Sequence, residues 1–224
     1  MEMIKIPGME NDNIIETQSH TLIIDDVPDR FEMINVQDAV DIELYERVPG
    51  GTVYKLYIGN FNSENNENFR LFDKLRCAQE NSSLEVHISS DGGNFYEIVE
   101  FYNLLKPKFG NITTFLNRGY SAGSMMFLIG DERVVYEHSD LMIHSYSGVS
   151  VGKRDDMLKQ TLHQDKMITE FFEKMYKPYL SKKEMKRLNK GQDFWMDSKE
   201  MLKRGIATHI ITDDGDFKAA KEYL

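Results

Sequence analysis

Between Val53 and Leu116 the chain switches repeatedly between two hydrophobic periods, and this alternation restricts the fold more than any other feature. Val53-Tyr54-Lys55-Leu56-Tyr57-Ile58 reads as a strand closed by Gly59 and Asn60. From about Glu67 to Glu80, Phe69, Phe72, Leu75 and Ala78 recur at three-residue steps with Leu71 beside them, which predicts a helix. Leu84-Glu85-Val86-His87-Ile88 predicts a second strand, Phe95 to Leu105 a second helix stopped by Lys106-Pro107, and Ile112 to Leu116 a third strand. Parallel neighbours need such crossovers, so the cadence predicts an α/β fold with a mostly parallel sheet. In that architecture ligands gather outside the carboxyl ends of the strands. The Gly92-Gly93 turn and the turn that holds Ser121 and Ser124 both occupy such ends and should be neighbours.

The remainder of the chain divides around this unit. Residues 1–51 read as an N-terminal arm with short strands, 52–213 as the main domain and 214–224 as a C-terminal tail. After the third strand, Met125 to Ile129 reads as a buried helix, and Arg133 to Tyr136 and Leu141 to His144 as strands. A long helix from about Arg154 to Lys177, a short one at Ser181 to Leu188, a strand at Phe194 to Met196, a helix at Ser198 to Arg204 and a strand at Ile206 to Ile211 complete the expected elements. The apolar stripe Leu158, Leu162, Ile168, Phe171, Phe172 and Met175 is longer than a capping helix needs, so part of it should serve an interface.

Composition removes several classes of function. A formal net charge of −10 argues against nucleic acid, which is bound by clustered Lys and Arg. The one cluster, Lys182, Lys183, Lys186, Arg187 and Lys190, is interleaved with Glu184, Met185 and Leu188 as on a solvated helix face. No apolar run approaches the ~18 residues of a membrane helix. The first residues carry no apolar signal core, and the single cysteine, Cys77, forms no disulfide framework and is expected in the core. A cytoplasmic protein is expected. The histidines show no metal-binding spacing, so neither metal nor cofactor is expected.

The turn after the third strand holds two serines. Gly119-Tyr120-Ser121-Ala122-Gly123 matches the G-x-S-x-G elbow, in which Ser121 would attack with Asp197 and His209 available as later partners. Ser124, at the start of the helix, is the alternative, with its hydroxyl near free backbone amides.

Further blocks bear on that choice. Ala122-Gly123-Ser124-Met125, Leu141-Met142-Ile143-His144 and Gln192-Asp193-Phe194-Trp195-Met196 resemble the serine, histidine and aspartate blocks of the Clp-type peptidases, the ClpP family. Ile88-Ser89-Ser90-Asp91-Gly92-Gly93 resembles that family's N-S-P-G-G turn, with Asp91 where the family has proline. The resemblance runs from about Val53 to Ile211 and implies the ClpP/crotonase-like fold, with a handle strand and long helix protruding over about 146–178. It implies Ser124 as nucleophile, His144 as general base and Asp193 as the carboxylate orienting it. The Gly93 and Met125 N–H groups would form the oxyanion hole, and Gly92, Ser145 and Met126 would line the substrate groove. It further implies cleavage of unfolded polypeptides inside homo-oligomeric heptameric rings, stacked in pairs as a tetradecamer, with an AAA+ unfoldase as ATP-driven partner. An esterase or lipase of the α/β-hydrolase type using Ser121, a stand-alone processing peptidase and a non-catalytic ring or scaffold subunit are the competing expectations.

Overall fold

A computed structural model describes residues 52–61, 71–79 and 82–224 in full, and the backbone alone at 14–16, 22–24, 32–34, 42–48, 51 and 69–70. The strands are β1 (Ile14–Glu16), β2 (Leu22–Ile24), β3 (Glu32–Ile34), β4 (Ile42–Val48), β5 (Gly51–Ile58), β6 (Ser83–Ser90), β7 (Asn111–Tyr120), β8 (Glu132–Ile143), β9 (Phe194–Asp197), β10 (His209–Ile211) and β11 (Phe217–Ala219). The helices are α1 (Phe69–Arg76), α2 (Phe95–Lys108), α3 (Ala122–Leu128), α4 (Arg154–Tyr176), α5 (Lys182–Leu188), α6 (Ser198–Lys203) and α7 (Ala220–Tyr223).

A nine-stranded sheet runs in the order β11-β10-β8-β7-β6-β5-β4-β3, with β9 paired to β8 off this path. Its centre, β5-β6-β7-β8-β10, is parallel, and antiparallel partners flank it. The predicted α/β class with a parallel sheet and helical crossovers is therefore the observed one. One face of the sheet is packed with apolar side chains. Leu56, Leu84, Val86, Ile88, Ile112 and Leu116 are at most 1% exposed, and each such side chain contributes about 1.5–3 kcal/mol on burial. On the opposite face Tyr57, His87 and Phe115 stack in a row, with ring centroids 4.7 Å apart at each step.

α2 starts where Asn94 accepts the Tyr96 N–H at 2.9 Å, and its face Ile98, Phe101 and Leu105 is fully buried. Pro107 lies inside its last turn rather than before it, and the helix continues to Lys108, closed by the Phe109 N–H on the Leu105 carbonyl. Two expected strands, Arg133 to Tyr136 and Leu141 to His144, are one irregular strand, β8. At its irregularity Ser139 Oγ accepts the Tyr136 N–H and donates to the Leu116 carbonyl. β7 continues through Asn117 and Arg118, because Arg118 pairs with Asp140 in the ladder.

α4 is buried only at Ile168, Phe172, Met175 and Tyr176, while Leu158 and Leu162 are 59% and 62% exposed, so its first half stands clear of the core. The stretch Gly148 to Gly152, expected as a handle strand, forms no strand in the single chain. A strand needs a neighbour to take its backbone bonds. Within the expected tail, β11 pairs with β10 and α7 follows. Cys77 is exposed, not core, since it falls just past the end of α1. The rest of the expected arm lies outside the described residues. Among the described residues no helix is long and apolar enough to cross a membrane, and no cluster of His, Cys, Asp and Glu could hold a metal ion.

Candidate active site

β7 ends at Tyr120 and α3 begins at Ala122, so Ser121 alone makes the corner between them. Its φ of 53° and ψ of −119° lie outside the regions an L-residue adopts freely, a strain on the order of 1–3 kcal/mol. It is the one non-glycine with positive φ among the described residues. The Ser121 N–H donates to the Met142 carbonyl at 3.0 Å and so holds the corner against β8.

The second expected turn lies against this corner, because Ser90 pairs with Gly119 at the ends of β6 and β7. Gly92 and Gly93 have φ of 108° and 137°, conformations that favour glycine. A methyl group on Gly92 would stand 2.6 Å from Ser121 Cβ and 3.2 Å from Ala122 N. One on Gly93 would drive into the Phe61 carbonyl. The Phe61–Gly93 bridge is made by the Phe61 N–H on the Gly92 carbonyl (2.8 Å) and the Asn94 N–H on the Phe61 carbonyl (2.7 Å), which leaves the Gly93 N–H outside it. Asp91 donates its N–H to Asn60 Oδ1 at 2.6 Å, a bond proline could not make, and its carboxylate pairs with Arg118 at 3.0 Å.

Sheet register places the other two expected residues. Tyr120 pairs with Met142 across β7 and β8, and Ile143 with Phe194 across β8 and β9. Ser121, His144 and Asp193 each lie just beyond these paired positions, at the same end of three adjoining strands. Ser121 and His144 are half-buried and Asp193 is exposed. No hydrogen bond joins the three side chains among the described residues. Beside them Tyr120 donates its hydroxyl to Asp140 at 2.6 Å, a bond that raises its pKa, and its ring meets the exposed Trp195 edge-on at 5.1 Å.

The residues expected around Ser124 have other surroundings. Ser124 has no exposed surface, and its hydroxyl lies 2.6 Å from the Ser121 carbonyl and 2.8 Å from the Tyr176 hydroxyl. A carbonyl only accepts, so the single Ser124 hydroxyl proton is committed to it. Met125, 2% exposed, lies inside α3, three residues past its first N–H at Ala122. Met126 is fully buried in the core and lines no groove, while Gly92 is buried and Ser145 half-buried beside the site. Burial pushes the Tyr176 phenol far above its ordinary pKa, against a smaller downward pull from the Ser124 bond, so it is a neutral donor at physiological pH.

The esterase expectation required His209 and Asp197. His209 pairs with Val134, which pairs with Phe115; His209 is thus removed from Ser121 by about 20 Å of strand length. Asp197 instead caps α6, accepting the Glu200 N–H at 2.8 Å. Ala122, whose N–H opens α3 beside Gly92, is the residue that sequence reasoning passed over. No local signal marks it: the apolar run begins only at Met125, after Ser124, and nothing in it shows that the helix starts three residues earlier, at Ala122.

Comparison with curated proteins finds no match. The family model described as Clp protease matches residues 63–214, a span that contains the Gly92-Gly93 turn, the Ser121 corner, His144 and Asp193. With the parallel sheet and its crossovers, this match over more than half of the sequence means that the chain belongs to the Clp protease family, the ClpP-type serine peptidases.

Proposed function

We propose that the protein is a serine endopeptidase acting on unfolded polypeptides, with Ser121 rather than Ser124 as nucleophile, His144 as general base and Asp193 as the carboxylate that orients His144. The observation that carries this reading is the strained Ser121 corner, which abuts Gly92-Gly93 and shares one end of three adjoining strands with His144 and Asp193. Ser121 Oγ adds to the scissile carbonyl while its proton passes to His144. The resulting oxyanion is received by the N–H groups of Gly93 and Ala122. Collapse breaks the C–N bond, the leaving amine takes the proton from His144, and water then releases the acyl group from Ser121 by the same steps. The Tyr120–Trp195 pair borders the site and supports an apolar contact with the substrate chain.

Assembly is part of the proposal. The exposed Leu158 and Leu162 on α4, with Val149 and Val151 at 92% and 86% exposure before it, support a handle that packs against a second copy in paired heptameric rings. The half-open sheet face at Tyr57, His87 and Phe115 offers a second surface within a ring. An AAA+ unfoldase is the partner that family membership suggests, and the free Cys77 suits a cytoplasmic setting.

Hydrolysis of a fluorogenic peptide by the purified oligomer tests the catalytic reading. Ser121→Ala and His144→Ala are each expected to lower kcat by at least about 10³-fold. Wild-type turnover by Ser121→Ala would remove the proposal, and an assembled but inert wild-type protein would favour the scaffold role.

A further inference from the structure

We propose that Tyr176 is a positioning residue for catalysis: through Ser124 it orients the peptide unit that carries the Ala122 oxyanion donor. This rests on Ser121 being the nucleophile.

The hydroxyl chain has only one possible direction. Ser124 Oγ lies 2.6 Å from the Ser121 carbonyl, which can only accept, so the Ser124 proton points there. The contact of 2.8 Å between Ser124 and Tyr176 must then be made by the Tyr176 proton. The Ser121 carbonyl also accepts the Ser124 N–H at 3.0 Å, so two donors fix it. That carbonyl and the Ala122 N–H are the two ends of one planar trans unit and point in opposite directions. Pinning the carbonyl therefore turns the N–H the opposite way, and the Ala122 nitrogen lies close to Gly92, 3.2 Å from where a Cβ on that glycine would stand; an oxyanion held by Gly93 and Ala122 would sit on this side. Hydrogen bonds to the carbonyl also polarise the unit and strengthen the N–H as a donor.

Tyr176 is itself held by an aromatic cluster that reaches the rest of the site. Its ring meets Phe172 edge-on at 5.4 Å, and Phe172 contacts Phe95, just after the Gly92-Gly93 turn, and Tyr146, just after His144. The root of α4 thus touches the oxyanion turn, the histidine segment and, through the Tyr176 hydroxyl, the nucleophile corner. Full burial keeps water from replacing the Tyr176 donor.

Tyr176→Phe keeps the ring and removes the donor, and Ser124→Ala removes the middle of the chain. Both are compared with wild type and with the double variant for kcat and KM on a fluorogenic peptide, for fluorophosphonate labelling rate with the modified residue mapped, and for Tm. Complete loss of an oxyanion donor costs about 10²–10³-fold in kcat; a misaimed one should cost less. Tyr176→Phe is expected to lower kcat and labelling rate about 3–30-fold with KM nearly unchanged. The double variant should match Ser124→Ala, because Tyr176 acts only through Ser124. Wild-type kcat in Tyr176→Phe, a loss confined to KM, or effects that multiply in the double variant would overturn the relay while labelling at Ser121 left the nucleophile in place. Labelling at Ser124, or none in the wild type, would overturn both. If Tyr176→Phe does not fold, Ser124→Ala decides by the same kcat and KM criteria.

Discussion

Gly93 is where a single methyl group should do the most damage. Its φ of 137° and its contact with the Phe61 carbonyl leave no room for a side chain. Gly93→Ala is expected to cost at least about 2 kcal/mol, lowering Tm by about 4–8 °C, and to abolish peptide hydrolysis; an unchanged Tm with full activity would contradict the tight turn. Tyr176 gives a second prediction at this scale, through pH. Its pKa is raised by burial, so the folded state holds the proton longer than the unfolded chain, whose tyrosines titrate near about 10. The stabilisation is complete below that pH and is lost as pH rises toward the folded pKa, by up to about 1.4 kcal/mol per pH unit. Urea midpoints between about pH 9 and 11 should therefore fall more steeply for wild type than for Tyr176→Phe. Parallel curves would mean that the phenol is not held protonated. The choice between Ser121 and Ser124 was hard to make from residues alone for the same reason. What distinguishes them is a partner distant in sequence, Tyr176, whose hydroxyl fills the space beside Ser124.

Among the elements, those with an uninterrupted period were legible. β5, β6, α2 and α5 fall where apolar spacing places them, because one buried face dictates every second or every third and fourth residue. β7 and β8 were misjudged where polar residues run on within a ladder. Arg118 continues β7 because its backbone pairs with Asp140 of β8, while its half-exposed side chain reaches Asp91, and β8 survives its irregularity because Ser139 and Ser198 hydroxyls take up the displaced backbone groups. Both are tertiary effects with no local signature. α5 shows a local signature that does hold. Ser181 and Glu184 form a reciprocal capping box, with the Glu184 N–H on Ser181 Oγ and the Ser181 N–H on Glu184 Oε2 at 2.8 Å. The Ser181 backbone and hydroxyl donors, followed by Arg204, hold the Glu184 carboxyl below its ordinary pKa. Its contribution is present above the ordinary carboxylate pKa and lost as pH falls through the depressed one. Ser181→Ala should cost about 1 kcal/mol at neutral pH and less in acid. Equal losses at pH 7 and pH 3 would show that the cap is not carried by the ionised carboxylate.

At the scale of the whole molecule, the first half of α4 is the feature a lone chain does not explain. An apolar stripe with Leu158 and Leu162 exposed stands away from the core that anchors Ile168 and Phe172. If paired rings cover it, Leu158→Glu with Leu162→Glu should convert the larger species to single rings or smaller ones by sizing, with the unfolding of the remaining species little altered. Unchanged assembly size would place the interface elsewhere. The parallel sheet and its crossovers were legible because hydrophobic period fixes topology, whereas the proposed ring contact would lie on surfaces whose partner is another copy, which that period does not describe.

The proposed nucleophile of this Clp-family chain is the corner residue Ser121. Reaction of the assembled wild-type protein with a fluorophosphonate, followed by peptide mapping, tests it most directly. A single adduct on Ser121 that disappears in His144→Ala is the predicted result; an adduct on Ser124, or an unmodified protein under conditions where it hydrolyses peptide, would contradict it.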